Sequence, residues 1–442
     1  MSESSLHSEA GFRERAAFCM FDFANSAFPT VALTAFGGSY FQSVLVGARG
    51  LRLGPLTLGP TAAWGVCISL AMALVTLTSP IMGAFADSSG RKHRLLSGYV
   101  GVCVAACAAL AFVPPGAGLT AFVLYVVANF AFEGAYVFYN AFLPELVPPE
   151  RFGRLSGQAW ALGYVGGLLA LFAVKPLIPK DYSVASAGHA SYIYLIVAAW
   201  YLLFSIPALI WLKDRVVIDA QPLGALARRS FAMLATTLRA LRRYRMVVIF
   251  LAAYFLYTDA LTTFYEFAGI FTKDVLAFSP SDNVTLFLIL NVVAAPGAWA
   301  SGYLVDKLGG KRSILITLLL WLVVVAGAAL TRSKESFFGV AMLAAVVIGA
   351  TQAASRAVMA RIAPRKRMGE FMGLLSLSGK ASSILGPTLY GVVVDANIVA
   401  GDPGHGHRVA ITVIGSFFLI ALVILLQLDE RVAAADAERE IV

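Results

Sequence analysis

The sequence is short of charge. Only 13% of its 442 residues are Asp, Glu, Lys or Arg, whereas soluble domains carry about 25%. A water-exposed surface cannot be built from that supply, which excludes a soluble globular protein. The net charge of +9 does not indicate nucleic-acid binding, because the basic residues fall in short clusters between apolar runs, as in the cytoplasmic loops of membrane proteins.

Residues that build metal or catalytic centres are also scarce. Cys103 and Cys107 share one helix face, but no His or second pair completes a metal site, and all four cysteines suit small apolar packing. His405 and His407 supply only two ligands in one loop, so we predict neither a metal nor a cofactor. The sequence contains no nucleotide-binding loop, G-x-S-x-G or HExxH. We therefore expect neither an enzyme nor an ATP-driven pump.

Long apolar runs occur along the whole chain. A helix needs about 20 apolar residues to cross a bilayer, and these runs are too long for barrel strands. The first run contains Asp22 and lacks a small-x-small cleavage site, so we interpret it as a retained span rather than a signal peptide. The prediction is an all-α polytopic membrane protein with twelve transmembrane helices near residues 16–45, 61–86, 95–113, 119–146, 155–176, 191–212, 246–273, 284–305, 313–331, 337–362, 370–394 and 409–428.

Basic residues also predict the orientation. With twelve spans, 24 of the 34 Lys and Arg residues lie on the side of the termini and 8 on the opposite side. Because cytoplasmic loops are enriched in Lys and Arg, both termini are predicted to be cytoplasmic.

The longest polar stretch divides the chain. We predict an N-terminal six-helix bundle over 1–212, a basic cytoplasmic linker over 213–245 and a C-terminal six-helix bundle over 246–442. Within the linker, one helical face is apolar and arginines crowd the other, which is typical of an interfacial helix on anionic headgroups; a calmodulin-type target helix remains an alternative. The apolar face consists of Phe231, Leu234, Leu238 and Leu241.

The two bundles are related by an internal repeat. The segment from Gly83 through Asp87 to Gly90, Arg91 and Lys92 recurs 219 residues later, from Gly302 through Asp306 to Lys311 and Arg312. A second set recurs at an offset of 216: Pro148, Arg151, Gly153, Gly157 and Gly163 match Pro364, Arg367, Gly369, Gly373 and Gly379. A parallel duplication with a long joint is typical of transporters whose halves rock about a central site.

These motifs carry a family resemblance. The G-x-x-x-D-x-x-G-R-K loop after the second span resembles the signature loop of the major facilitator superfamily. The stretches 21–28, 139–145, 255–259 and 349–387 resemble motifs of its vacuole-effluxer-like branch. Thr258 and Ala260 beside Asp259 depart from that branch, as does Gly310 in the second loop. The resemblance implies alternating access by one chain, with spans one, four, seven and ten lining a cavity. Yeast members of the branch release amino acids from the vacuole.

Polar residues inside the spans follow helical register. Because 3.6 residues per turn place positions i, i+3, i+4 and i+7 on one face, each set forms a stripe, and ionisable groups at this depth are functional candidates by default. We predict a substrate and proton cavity lined by Asp22, Asn25, Glu133, Tyr136, Asn140, Asp259, Thr263, Glu266, Gln352, Arg356 and Lys380. As alternatives, Asp22 and Glu266 face headgroups, Asn25 and Gln352 join helices, and the deeper charges form structural ion pairs.

The charges in this cavity suggest a mechanism. Four carboxyl groups face only Arg356 and Lys380, and burial with nearby like charge favours the protonated form of a carboxyl group. Glu133 and Asp259 are therefore the candidates for proton coupling, and Arg356 for holding a substrate carboxylate. For Lys380, pairing with a carboxylate and contact with substrate both remain open.

The duplicated loops suggest a conformational gate. A carboxylate at Asp87 can bridge to a neighbouring helix N-terminus or to a basic residue of the other loop. The resemblance implies that this contact stabilises the outward-facing state. The predicted gate comprises Gly83, Asp87, Gly90, Arg91, Lys92, Asp306, Lys311 and Arg312; in the alternative, Arg91 and Lys92 only determine topology.

Together these features predict a secondary transporter of amino acids or similar zwitterions or anions. We expect coupling to H+, function as a monomer and a location in the bacterial inner membrane. An exporter or flippase of amphipathic cargo such as a drug or lysolipid is the second hypothesis, and a non-transporting membrane sensor is the third.

Overall fold

The computed structural model describes residues 11–89, 91–147, 151–185, 188–214, 243–363, 368–398 and 403–429, with isolated positions between 224 and 239. In the first part of the chain the helices are α1 (Phe12–Asn25), α2 (Gly37–Tyr40), α3 (Pro60–Ser89), α4 (Lys92–Leu110), α5 (Gly118–Asn140), α6 (Leu143–Leu146), α7 (Phe152–Val174) and α8 (Tyr192–Trp211). The later helices are α9 (Arg245–Leu276), α10 (Pro280–Leu308), α11 (Gly310–Leu330), α12 (Lys334–Ile362), α13 (Met368–Ser382), α14 (Leu385–Ile398) and α15 (Pro403–Leu426).

Most of the predicted spans are single apolar helices. Ten segments of the described chain are long and apolar enough to cross a membrane. The predicted eighth span corresponds to α10, whose apolar part Pro280–Ala294 is shorter. The predicted eleventh span is two helices, α13 and α14, separated by Ser383 and Ile384. The predicted spans are therefore helical in the described chain, while two of the twelve differ from regular membrane-crossing helices.

The first span is irregular over its second half. Phe28–Ala35 and Phe41–Val46 have π-helical geometry, and α2 lies between them. The amide of Phe36 bonds the carbonyl of Val31, and the Thr34 hydroxyl bonds the carbonyl of Pro29, at 3.2 and 2.8 Å. Proline removes one backbone donor, and π-helical turns occur frequently at functional sites. Hydropathy alone could not predict this irregularity.

A short hairpin follows the first span. Strands β1 (Leu51–Leu53) and β2 (Leu56–Leu58) pair antiparallel, and the sequence analysis did not predict them. We call this side of the molecule the hairpin end; α9 and α14 finish there and α3, α10 and α15 begin there. The opposite side, where α4 begins at Lys92 and α11 at Gly310, is called the basic end.

The helices pack as two groups. Within the N-terminal group (α1–α8), α4 packs on α5 and α8, and α1 packs on α7 and α8. Within the C-terminal group (α9–α15), α10 packs on α12, and α15 on α9, α11 and α14. Between the groups, α3 packs on α14, α7 on α10, and the segment Phe28–Ala35 on α9. The predicted interfacial helix in the linker, with Phe231, Leu234, Leu238 and Leu241, lies outside the described residues.

Candidate functional site

Asp22 is the centre of a buried polar network between α1 and α5. Its carboxylate accepts hydrogen bonds from the Asn25 amide at 3.3 Å, the Tyr136 hydroxyl at 3.3 Å and the Tyr139 hydroxyl at 3.1 Å. The side chain is only 5% exposed, and no basic side chain pairs with it among the described residues. Asp22 therefore lies inside the N-terminal group, where its charge is balanced by hydrogen-bond donors alone.

An ion pair joins the two groups. The Lys380 ammonium on α13 lies 2.7 Å from the Glu133 carboxylate on α5, and the two side chains are 18% and 24% exposed. Of the two alternatives left open for Lys380, the structure has the pairing with a carboxylate, and contact with substrate stays a prediction.

Asp259 binds the broken helix of the C-terminal group. Its Oδ1 accepts a hydrogen bond of 2.9 Å from the amide of Gly386, the second residue of α14. The first amides of a helix have no partner within the helix and carry a partial positive charge. The interruption of the predicted eleventh span at Ser383 therefore gives the Asp259 carboxylate a donor inside the membrane-spanning region.

Three buried oxygen atoms follow one face of α9. Oδ2 of Asp259, Oγ1 of Thr263 and Oε2 of Glu266 are shielded from solvent, and none has a hydrogen-bond partner among the described residues. Asp259 and Thr263 are both 0% exposed. Burying a polar group without a hydrogen bond costs about 1–3 kcal/mol, so three in a row are not explained by folding stability.

Three of the predicted cavity residues are exposed instead of buried: Asn140 on α5, and Gln352 and Arg356 on α12. Arg356 has electrostatic interactions with Tyr164 on α7 and Tyr254 on α9, which places it between the two groups. It forms no ion pair with any residue that the structure describes. A guanidinium held in this way can bind an anion.

At the hairpin end the two groups are held together by Asp395, which the sequence analysis missed. The Asp395 carboxylate on α14 accepts hydrogen bonds from the amides of Thr61 and Ala62, at 3.2 and 2.6 Å. These amides lie in the first turn of α3, so a residue of one group caps a helix of the other. The spacing of Pro387, Gly391 and Asp395, four residues apart on one helix face, is the signal that could have indicated this contact.

A second set of contacts surrounds this cap. The Lys273 ammonium on α9 bonds Gln42 and, at 2.8 Å, Ser43 of the first span. Lys273 also lies 3.1 Å from Asp274, whose carboxylate lies 3.1 Å from Nε2 of His407. The other ring nitrogen of His407 bonds the Tyr390 hydroxyl at 3.0 Å. Within this set, the bonds of Lys273 with the first span join the two groups, and the contacts among Lys273, Asp274, His407 and Tyr390 lie within the C-terminal group.

The described residues of the predicted gate lie at the basic end. The Lys92 ammonium is buried and bonds the Glu145 carboxylate, and Lys311 donates to the carbonyls of Leu426 and Leu428. In these bonds each lysine contacts its own group, while Arg91 immediately precedes α4 and Arg312 is exposed. Gly83 has room for a Cβ atom, unlike the close approach expected there. Gly90 and the side chains of Asp87 and Asp306 lie outside the described residues.

A cavity of about 780 Å³ opens at the basic end between α1 and α7. Its wall is mostly apolar, with three arginines among the lining residues: Arg15, Arg151 and Arg154. None of the eleven predicted cavity residues is among those that line it. The buried network and the ion pair lie deeper in the helix packing, so the predicted residues divide between buried contacts and the exposed positions Asn140, Gln352 and Arg356.

Two groups of membrane-spanning helices, with charged residues at their interface, define a transporter of the major facilitator type. The chain belongs to the family described as "Vacuole effluxer Atg22 like", whose profile matches residues 11–438. Family membership confirms the resemblance stated from the motifs.

Individual relatives agree with this assignment. The MFS-type transporter YxiO of Bacillus subtilis (strain 168) is 29% identical over 436 residues, covering 97% of each chain. Autophagy-related protein 22 of Yarrowia lipolytica is 28% identical over 278 residues, 55% of this chain and 46% of its own length. Among solved structures, a D-xylose–proton symporter superposes with a TM-score of 0.73 at 13% identity, covering 94% of this chain and 97% of that one. The chain is therefore an integral membrane transporter with the major facilitator fold.

Proposed function

We propose that the protein is a proton-coupled secondary transporter of amino acids or similar small zwitterions and anions. The observation that carries this proposal is the charge pattern between the helix groups. Arg356 is exposed and unpaired among the described residues, while Glu133 is paired with Lys380. A zwitterion offers a carboxylate to Arg356 and an ammonium that can replace Lys380 at Glu133, whereas an uncharged cargo would leave Arg356 unused.

Coupling to protons is supported by the buried carboxyl groups. Asp22 has only neutral donors around it, and Asp259 has the amide of Gly386. Neither has a basic partner among the described side chains. A buried charge without a counter-charge is costly, whereas the protonated form is not. Binding or release of one proton at such a carboxyl group can therefore change how the helices pack.

Alternating access is the transport mechanism that we infer. The hairpin end is tied by bonds between the groups, including those of Asp395 with α3 and of Lys273 with the first span. Opening that end requires all of them to break together. In a bacterial inner membrane with cytoplasmic termini, as the distribution of Lys and Arg suggests, the tied hairpin end lies on the outer face.

The proposal is tested with purified protein in proteoliposomes. We expect counterflow of a mixed radiolabelled amino-acid pool, and faster accumulation when a pH gradient is imposed. Arg356→Lys keeps the charge but loses the bidentate geometry, so it should weaken substrate binding by about tenfold. Arg361→Lys, the same change at another exposed arginine of α12, is the matched control. Unchanged binding by Arg356→Lys would remove the assigned role of Arg356.

The test also decides the competing hypothesis of amphipathic cargo. If folded protein does not exchange amino acids but moves a fluorescent lysolipid between leaflets, the apolar wall of the cavity at the basic end becomes the relevant surface. Protein that moves neither cargo would favour a sensor.

A further inference from the structure

The buried face of α9 has a feature that substrate binding does not explain. Asp259, Thr263 and Glu266 each bury a side-chain oxygen that has no partner among the described residues. Substrate entering between the groups would meet Arg356, which is exposed on α12, rather than Thr263, which is 0% exposed. The three oxygen atoms therefore form a buried cluster that is distinct from the exposed Arg356.

The spacing of the three residues suits transfer along the helix. Positions i, i+4 and i+7 lie on one face, with Cβ atoms about 5–6 Å apart between neighbours. The row from Asp259 to Glu266 covers about 10 Å of helix axis. Glu266 is the member nearest the hairpin end, where α9 finishes at Leu276.

Gly386 holds two of the three residues against the broken helix. A Cβ atom at this position would collide with the Thr263 hydroxyl and lie 2.7 Å from Oδ1 of Asp259. Both side chains therefore point at the start of α14, where the Gly386 amide bonds Oδ1 and leaves Oδ2 without a partner. The fixed Oδ1 orients Oδ2 as the atom that can gain or lose a proton.

The other charged groups near the cluster are either paired with another side chain or exposed. Glu133 has electrostatic interactions with Glu266, but its carboxylate is paired with Lys380. On α12, the Ser355 hydroxyl bonds Tyr257 at 2.6 Å, and Arg356 is exposed. The remaining acid that interacts with Glu266 is Asp259.

We propose that Asp259, Thr263 and Glu266 form a proton path along α9, in which the Thr263 hydroxyl relays a proton between the two carboxyl groups. The three oxygen atoms do not bond one another in this conformation, so a side-chain rotation or one water molecule must join each pair before transfer. Protonated Glu266 then gives its proton to Oγ1 of Thr263, and the original hydroxyl proton passes to Oδ2 of Asp259. Glu266 ends ionised, Asp259 ends neutral, and Thr263 is unchanged. The inference rests on the proposed function, which it deepens by assigning the path of the coupling ion.

The hydroxyl of Thr263 is the element to remove. Thr263→Val keeps the shape of the side chain and interrupts the relay, while Thr263→Ser retains the hydroxyl. Thr262→Val is the matched control, because the neighbouring Thr262 hydroxyl bonds the Thr258 carbonyl of its own helix at 2.8 Å. Each variant is assayed in proteoliposomes for amino-acid counterflow without a pH gradient, and for accumulation with proton uptake, reported by an enclosed pH dye.

We expect Thr263→Val to keep counterflow and to slow proton uptake and driven accumulation by about 100-fold, the usual effect of losing a positioned proton-transfer group. Thr263→Ser and Thr262→Val should match the parent protein. Normal proton uptake by Thr263→Val would overturn the path, as would loss of counterflow, which would assign Thr263 to binding or packing. Parent protein that exchanges amino acids without taking up protons would refute the path and proton coupling together, leaving amino-acid transport in place.

Discussion

Removing the Asp395 carboxylate should open the hairpin end. Asp395 caps α3 from the other helix group through the amides of Thr61 and Ala62, the second of these bonds being 2.6 Å long. Replacing a cap residue by Ala costs about 1–2 kcal/mol. Since this cap exists only while the two groups are in contact, its loss destabilises the form with a closed hairpin end and leaves the open form unaffected. Asp395→Ala should therefore shift the population toward the open form by about 5–30-fold.

The distance between the groups can be measured directly. Spin labels at Leu56→Cys on β2 and Ser281→Cys on α10 report the opening, since both positions are exposed. The background needs all four native cysteines replaced. In Asp395→Ala the long-distance component of the dipolar spectrum should grow. Asn397→Ala is the control, because Asn397 bonds only the Val393 carbonyl of its own helix in the described structure.

A second substitution tests the same contact by crowding it. A Cβ atom added at Gly59 would lie 2.9 Å from the Cβ atom of Asp395 and would collide with its carboxylate. Gly59→Ala should therefore push the end of α14 away from α3 and increase the same long-distance component. If both Asp395→Ala and Gly59→Ala give the distance distribution of the parent protein, the cap does not hold the hairpin end closed and the reasoning is refuted.

Three further predictions concern the stability of the packed helices, measured as thermal unfolding in detergent. Lys380→Ala should destabilise by about 1–3 kcal/mol because Glu133 loses its partner, and adding Glu133→Gln should recover part of the loss; additive effects would contradict this coupling. Tyr139→Phe should cost about 1–2 kcal/mol through the lost hydrogen bond to Asp22, and an unchanged melting temperature would contradict it. Gly166→Ala should cost about 1–3 kcal/mol by overpacking the backbone of α1, whereas a more stable variant would show that α1 and α7 can separate at no cost.

Hydropathy and register predicted what lies within single helices. The long apolar runs indicated most of the spans because every backbone polar group in a bilayer must be bonded within its own helix. The register placed Asp22 with Asn25, and Asp259 with Thr263, on common faces, and the structure has these pairs side by side. Such predictions succeed because residues three and four apart are neighbours in any helix.

Contacts between helices could not be derived in the same way. Glu133 and Lys380 are 247 residues apart, and nothing in either local sequence states which helix faces which. The same holds for Asp395, which lies near a helix end and resembles an ordinary boundary residue until α3 is seen beside it. The π-helical turns around Pro29 and the break at Ser383 depend on packing too, since each exchanges regular backbone bonds for contacts with another helix.

The repeat explains why the exposed positions differ in chemistry between the groups. At the offset of 216 residues, Asn140 matches Arg356 and Tyr139 matches Ser355. The matched hydroxyls bond the first long helix of their own group, Tyr139 on α1 and Ser355 on α9, and the next residue in each case is exposed. Duplication therefore preserved the direction in which these two positions point, while the side chain became a neutral amide in one group and a cation in the other. Under the proposed function, Arg356 binds the cargo carboxylate, and the amide at the matched position Asn140 leaves the site with one guanidinium instead of two.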